Sequence, residues 1–120
     1  MSDGDPVKAE VKGSKSFRAA YPSGWLALTR NESVSLMVDA LLDLPPYREF
    51  NQTELAEMAG VSRQSVHRHL DLLVTLEIIH PVSGTSPQRY RFIPESDVSE
   101  AIVRLDGAVN RVETAESDSA

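Results

Sequence analysis

Two short apolar-patterned segments meet at a single glycine in residues 52–73 (QTELAEMAGVSRQSVHRHLDLL), and this junction restricts the fold more than any other part of the chain. Asn51 supplies an N-cap and Glu54, three residues on, completes a capping-box pattern, so a helix is predicted from Gln52 to Ala59. Gly60 follows its last turn, where a left-handed residue is wanted. Ser62 then caps a second helix whose buried face would be Val66, Leu70 and Leu73. Helices joined by so short a turn must cross steeply and close together. That accounts for small residues at the crossing (Ala56, Ala59) and apolar anchors on both sides (Leu55, Val61, Val66, Leu70). The pattern is a helix-turn-helix.

The flanks extend it. Val34, Met37, Val38, Leu41 and Leu42 repeat at one-face helical spacing, so a helix is predicted after Asn31, ended by Pro45-Pro46. Residues 47–50 read as a short strand. After the second helix of the pair, VTLEIIHPVSGTSPQRYRFIP predicts a strand over Glu77 to Val82, a Ser83–Pro87 turn and a returning strand over Arg89 to Ile93. Residues 31–94 thus form one domain. It is mainly α-helical and carries a small β-hairpin wing. Before it, residues 16–30 read as an ordered arm without assigned secondary structure, and residues 1–15 as a disordered tail.

Composition narrows the function. The 120 residues contain no cysteine, which excludes a disulfide frame, a zinc-thiolate site and a thiol redox sensor. No apolar run approaches the ~20 residues that span a bilayer and no signal-peptide pattern opens the chain, so a cytoplasmic protein with no membrane partner is expected. No nucleophile–base arrangement, phosphate-cradling glycine loop or metal triad is visible, so enzymatic activity is not expected. The acidic pair Glu54 and Glu57 reads as a solvated helix face. His67 and His69, two apart, point to different sides of a helix and cannot act as an i, i+4 metal pair; no metal and no cofactor is expected. His80, before Pro81, reads as structural.

The net charge of −6 is unfavourable for contact with a polyanion, but its distribution is not. Residues 60–93 carry Arg63, Arg68, Arg89 and Arg91 against Asp71 and Glu77, whereas residues 94–120 are strongly acidic. The exposed side of the second helix would present Arg63, Gln64, His67 and Arg68, and Arg and Gln are able to pair bidentately with guanine and adenine in the major groove. On the returning strand, period two puts Tyr90 and Phe92 inward and Arg89 and Arg91 outward, with Arg89 the better placed for DNA backbone or minor groove. The lysines, Lys8, Lys12 and Lys15, all lie in the first fifteen residues and every later cation is Arg, a balance that suggests a high-salt cytoplasm.

Residues 31–93 resemble the winged helix domain of MarR-, ArsR- and PadR-type regulators, through ELAEMAGVSRQSVHRHLDLL and the LEII that leads into the wing. The resemblance, which covers about half the chain, implies a DNA-binding transcription regulator. A recognition helix of about 63–75 would sit in the major groove, using Ser62, Arg63, Gln64, Ser65, His67 and Arg68. A wing of about 77–93 would add support from Arg89 and Arg91. Taken with the composition, the whole looks like a haloarchaeal regulator of this kind. The chain departs from ArsR-type metal sensors in lacking cysteine ligands and from MarR-type proteins in being shorter, so no small-molecule effector is carried over. A winged domain that binds only other proteins stays open as the alternative.

Past Pro94, Val98, Ala101, Leu105, Ala108 and Val112 alternate at spacings of three and four, and Ile102 and Val109 widen the stripe. A dimerisation helix is predicted over residues 95–113, capped by Ser96 or Asp97, with residues 114–120 frayed. Packing of this helix on its own domain is the alternative. A two-fold homodimer would present two recognition helices to successive half-sites.

Overall fold

The computed structural model describes residues 23–119, with side chains described as far as residue 112. The elements run α1 (Gly24–Thr29), α2 (Glu32–Leu42), β1 (Glu49–Phe50), α3 (Gln52–Ala59), α4 (Arg63–Thr75), β2 (Ile79–Val82), β3 (Arg89–Phe92) and α5 (Asp97–Ser119). The predicted tail over residues 1–15 lies outside the described residues, as does the arm before Ser23.

The capping chemistry fixes most helix starts. Asn31 Oδ1 accepts the Ser33 amide at 2.9 Å, and Ser62 Oγ accepts the Ser65 amide at 3.0 Å. At α3 the capping box is complete: Asn51 Oδ1 accepts the Glu54 amide and Glu54 Oε1 accepts the Asn51 amide, each at 2.9 Å. Gly60 closes α3 at φ 71°, a left-handed conformation that glycine adopts without steric cost. Ser96 caps α5 by accepting the Ser99 amide at 3.1 Å.

Several expectations are corrected. Residues 24–29, expected only as an arm, form α1, whose start is capped by Ser23 Oγ accepting the Leu26 amide. The first wing strand begins at Ile79 rather than Glu77, because Glu77 takes a left-handed φ of 63° to end α4. The Glu77 amide donates to Val74 O at 2.9 Å and the Ile78 amide to Leu73 O at 3.0 Å, the paired bonds of a Schellman motif, with Leu73 and Ile78 both buried beneath it. The wing is more than a hairpin: β1 adds to it, giving a three-stranded antiparallel sheet in the order β1-β3-β2, with Glu49 opposite Arg91 and Phe50 opposite Tyr90. Helix α5 continues to Ser119 where fraying was predicted after 113; no proline interrupts it there, and alanine and glutamate favour helix.

One core serves the domain. Met37 and Leu41 from α2, Leu55 from α3, Val66 and Leu73 from α4 and Ile78 and Ile79 from the wing are fully buried together, with Phe50 of β1 among them. Phe50 stacks on Tyr90 with ring centroids 6.3 Å apart, so the sheet is keyed into the helices through its aromatic face. Among the described residues, helix α5 joins this core at its start, where Val98 and Ile102 are partly buried against it.

Candidate nucleic-acid interface

Helix α4 has two chemically opposed faces. Val66, Leu70, Leu72 and Leu73 are buried, and the opposite side near its N-terminus leaves Arg63, Gln64, His67 and Arg68 exposed. Ser62 is exposed but its hydroxyl is used at the cap, contacting both the amide and the hydroxyl of Ser65. Among the described residues, Arg63 and Arg68 form no ion pair with a carboxylate. The predicted recognition residues therefore share one face, with their charged groups directed to solvent.

His69 sits on the flank of α4, half-buried, and its pKa is lowered from the ordinary 6.5 by burial and, secondarily, by the neighbouring Arg68 charge. It lies between the packed and the exposed sides of the helix, while His67 and His80 are exposed. Among the described residues no group of three His, Cys, Asp or Glu is placed to hold a metal ion.

A polar cleft of roughly 260 Å³ opens beside the recognition face. Its walls are Asn51, Gln52 and Thr53 at the start of α3, Arg63 and His67 of α4, and Pro87 and Gln88 at the wing turn. The wing turn is internally braced: Thr85 Oγ donates to Val82 O at 2.9 Å and accepts the Arg89 amide at 2.8 Å, and the Gln88 side-chain amide donates to Val82 O and Arg89 O. Sequence reasoning did not single out Gln52, Thr53 or Gln88. They come to the cleft only because β1 pairs with β3 and brings the wing turn over the start of α3.

The two wing arginines differ. Arg91 lies over the Tyr47 ring, 5.6 Å from its centroid, a contact that leaves its charge uncompensated. Arg89 is held back on the protein. Its Nε faces the Glu49 carboxylate at 3.5 Å, and one terminal nitrogen donates to Glu49 O at 3.1 Å and to Glu54 Oε1 at 3.2 Å. Glu54 is thus a structural group, serving the α3 cap and Arg89 at once, and not the solvated acid its pairing with Glu57 suggested.

The apolar stripe of α5 forms a second distinctive surface. Leu105, Val109 and Val112 are 47%, 58% and 60% exposed. Of the other predicted seam residues, Ala101 is exposed, and Val98, Ile102 and Ala108 are partly covered. The ridge of Ile102 and Leu105 is flanked by two apolar grooves, one of about 380 Å³ against Trp25 and Leu28 of α1, the other of about 270 Å³ against Val38 and Leu42 of α2. No helix among the described residues is long and apolar enough to cross a membrane.

No family model and no curated protein matches the chain. Among solved structures it is similar to NolR from Sinorhizobium fredii, with a TM-score of 0.52 and 23% sequence identity, covering 93% of this chain and 96% of that one. The likeness is one of fold: helices α2 to α4, with a small antiparallel sheet built from β1 between α2 and α3 and from β2 and β3 after α4, make this chain a winged-helix protein.

Proposed function

We propose that the chain is a transcription regulator that binds double-stranded DNA sequence-specifically as a homodimer. The observation that carries this reading is α4: its apolar side is buried while Arg63, Gln64, His67 and Arg68 face solvent together beside the wing. An arginine- and glutamine-bearing helix following a tight turn suits the major groove in its geometry and donor chemistry, which supports this reading. Ser62 and Ser65 would contact the backbone at the start of α4, and Arg91 would reach phosphate from the wing. The winged-helix fold shared with NolR supports the coarse reading.

The second copy would dock on the α5 stripe, burying Val98, Ala101, Ile102, Leu105, Ala108, Val109 and Val112. What supports this is an apolar helix face flanked by two apolar grooves, which a single chain leaves open to water. We place the protein in a high-salt, haloarchaeal-type cytoplasm on its acidic, lysine-poor composition. At 1 M salt the Debye length falls to about 3 Å, so repulsion between DNA and the acidic remainder is screened while direct contacts persist.

A gel shift in molar KCl tests the function, using the region upstream of the protein's own gene and an unrelated duplex as control. Selective retardation of the upstream region is expected. Retardation of neither duplex at any salt concentration would replace this reading with that of a protein-binding winged domain.

A further inference from the structure

We propose that Arg89 is a positioning residue that latches the wing to the start of α3, and that it makes no DNA phosphate contact of its own. This rests on the DNA-binding reading above and changes how the wing takes part in it. One guanidinium lies within 3.5 Å of two carboxylates, Glu49 and Glu54, so this three-residue cluster is net negative and the Arg89 charge is already matched within the protein. To reach DNA, Arg89 would have to leave both acids and the Glu49 carbonyl, exposing two carboxylates toward the polyanion.

What the contacts accomplish is mechanical. The wing turn is a hydrogen-bonded unit from Val82 to Arg89, and Arg89 is its first strand residue. Through Glu54 Oε1 the guanidinium reaches the carboxylate that also accepts the Asn51 amide at the head of α3. One oxygen atom thus serves both the wing and the head of α3, in addition to the apolar packing of the sheet on the helices. The joint lies next to the cleft walls, Arg89 following Gln88 in the chain and Glu54 bonding the Asn51 amide, so it holds the wing side and the helix side of the cleft together before DNA arrives. Arg91, stacked on Tyr47 with no such pair, is left as the wing's cation for DNA.

The two roles predict opposite signs for one substitution. Glu54→Gln keeps an oxygen for the Asn51 amide but removes the α3 charge that holds Arg89, leaving Glu49 on the sheet as its remaining carboxylate partner. If Arg89 latches the wing, Glu54→Gln weakens binding to the upstream duplex by about three- to fivefold, although it deletes a negative charge facing DNA. Arg89→Gln weakens binding similarly, the double variant is no weaker than Arg89→Gln alone, and Arg89→Lys recovers part of the loss. Affinity is read by fluorescence anisotropy under conditions where thermal unfolding shows every variant fully folded, so a role in stability alone leaves it unmoved. In the DNA-free protein, amide exchange over residues 82–89 should speed up in both Glu54→Gln and Arg89→Gln. The proposal is overturned if Glu54→Gln binds DNA as well as or better than the unmodified protein. It is also overturned if Arg89→Gln flattens the salt dependence by one phosphate per protomer, a slope change of about 1.8 for the dimer, with wing exchange unaltered. Should the unmodified protein bind neither duplex, the DNA reading fails by itself. Exchange then decides the latch: faster wing exchange in both variants supports it, and unchanged exchange overturns it.

Discussion

Helices α4 and α5 are both amphipathic, yet the domain treats them in opposite ways. The apolar face of α4 is consumed by the core, with Val66 and Leu73 wholly buried, and its polar face is what remains for a ligand. Among the described residues the apolar face of α5 is engaged with the core through Val98 and Ile102, and Leu105, Val109 and Val112 are exposed. The same helical periodicity thus has two outcomes. In α4 hydrophobic burial fixes an orientation and leaves the polar side chains outward; in α5 hydrophobic surface is left open to water, which is what the proposed dimer would cover.

The contrast is broken most forcefully by matched leucine substitutions. Leu73→Ala removes a fully buried side chain and should destabilise the fold by about 2–5 kcal/mol in denaturant unfolding. Leu105→Asp places its charge on a half-exposed position in the single chain and should leave the folded domain nearly as stable. In a dimer the same carboxylate would be buried without a partner. Sedimentation should then show a monomer with much reduced affinity for the upstream duplex. A Leu105→Asp protein that remains dimeric with unaltered affinity would remove α5 from the interface.

The polar face of α4 is probed at the next scale. Arg63→Ala or Gln64→Ala should cost about 1–3 kcal/mol of binding and relax preference at particular base pairs, because base edges carry sequence information. Arg91→Ala should weaken upstream and unrelated duplexes by similar factors, as expected for phosphate contact. Equal losses on both duplexes for the Arg63 and Gln64 variants would mean that α4 does not read sequence.

How far the sequence disclosed all this depends on whether the signal was local. The caps at Asn31, Asn51 and Ser62 and the left-handed Gly60 follow from residues within four positions of one another, and these boundaries agree with the structure. LEII has the composition of a strand, whereas the left-handed Glu77 belongs to a helix end whose paired amide bonds place Leu73 and Ile78 in the core, a tertiary signal that local composition does not carry. Arg89 is the deeper case. Its alternation with Tyr90 predicts an outward side chain, but the partners that capture it lie 35 and 40 residues away, on elements brought together by strand pairing. Period two reports which way a side chain leaves the sheet; it carries no information about what waits beside it.

The end of α4 offers a finer test of burial as the governing term. Glu77 holds a left-handed φ that disfavours any residue with a Cβ, whereas Gly60 holds one at no cost. Glu77→Gly should stabilise the fold by about 1 kcal/mol and Gly60→Ala should destabilise it by a similar amount, as no neighbouring atom lies within 4 Å of a Cβ built at Gly60 and only backbone conformation is at stake. Thermal unfolding with both midpoints moving in the same direction would contradict the conformational account.

The smallest expected effect concerns the flank where the two faces of α4 meet. Burial, aided by the Arg68 charge, lowers the His69 pKa below its ordinary 6.5, so the folded protein resists protonation that the unfolded chain accepts. Above that value both states hold a neutral imidazole and the residue contributes no pH dependence. As pH falls through 6.5 the unfolded chain takes up the proton first, and stability declines until the folded-state pKa is reached, after which the difference is constant. His69→Gln deletes this term. Urea unfolding of the unmodified protein and of His69→Gln should therefore show a stability difference that shifts against the unmodified protein between pH 7.5 and pH 5.5. A difference independent of pH across that interval would mean that His69 is solvated as fully as the exposed recognition residues, and that the packed side of α4 ends before it.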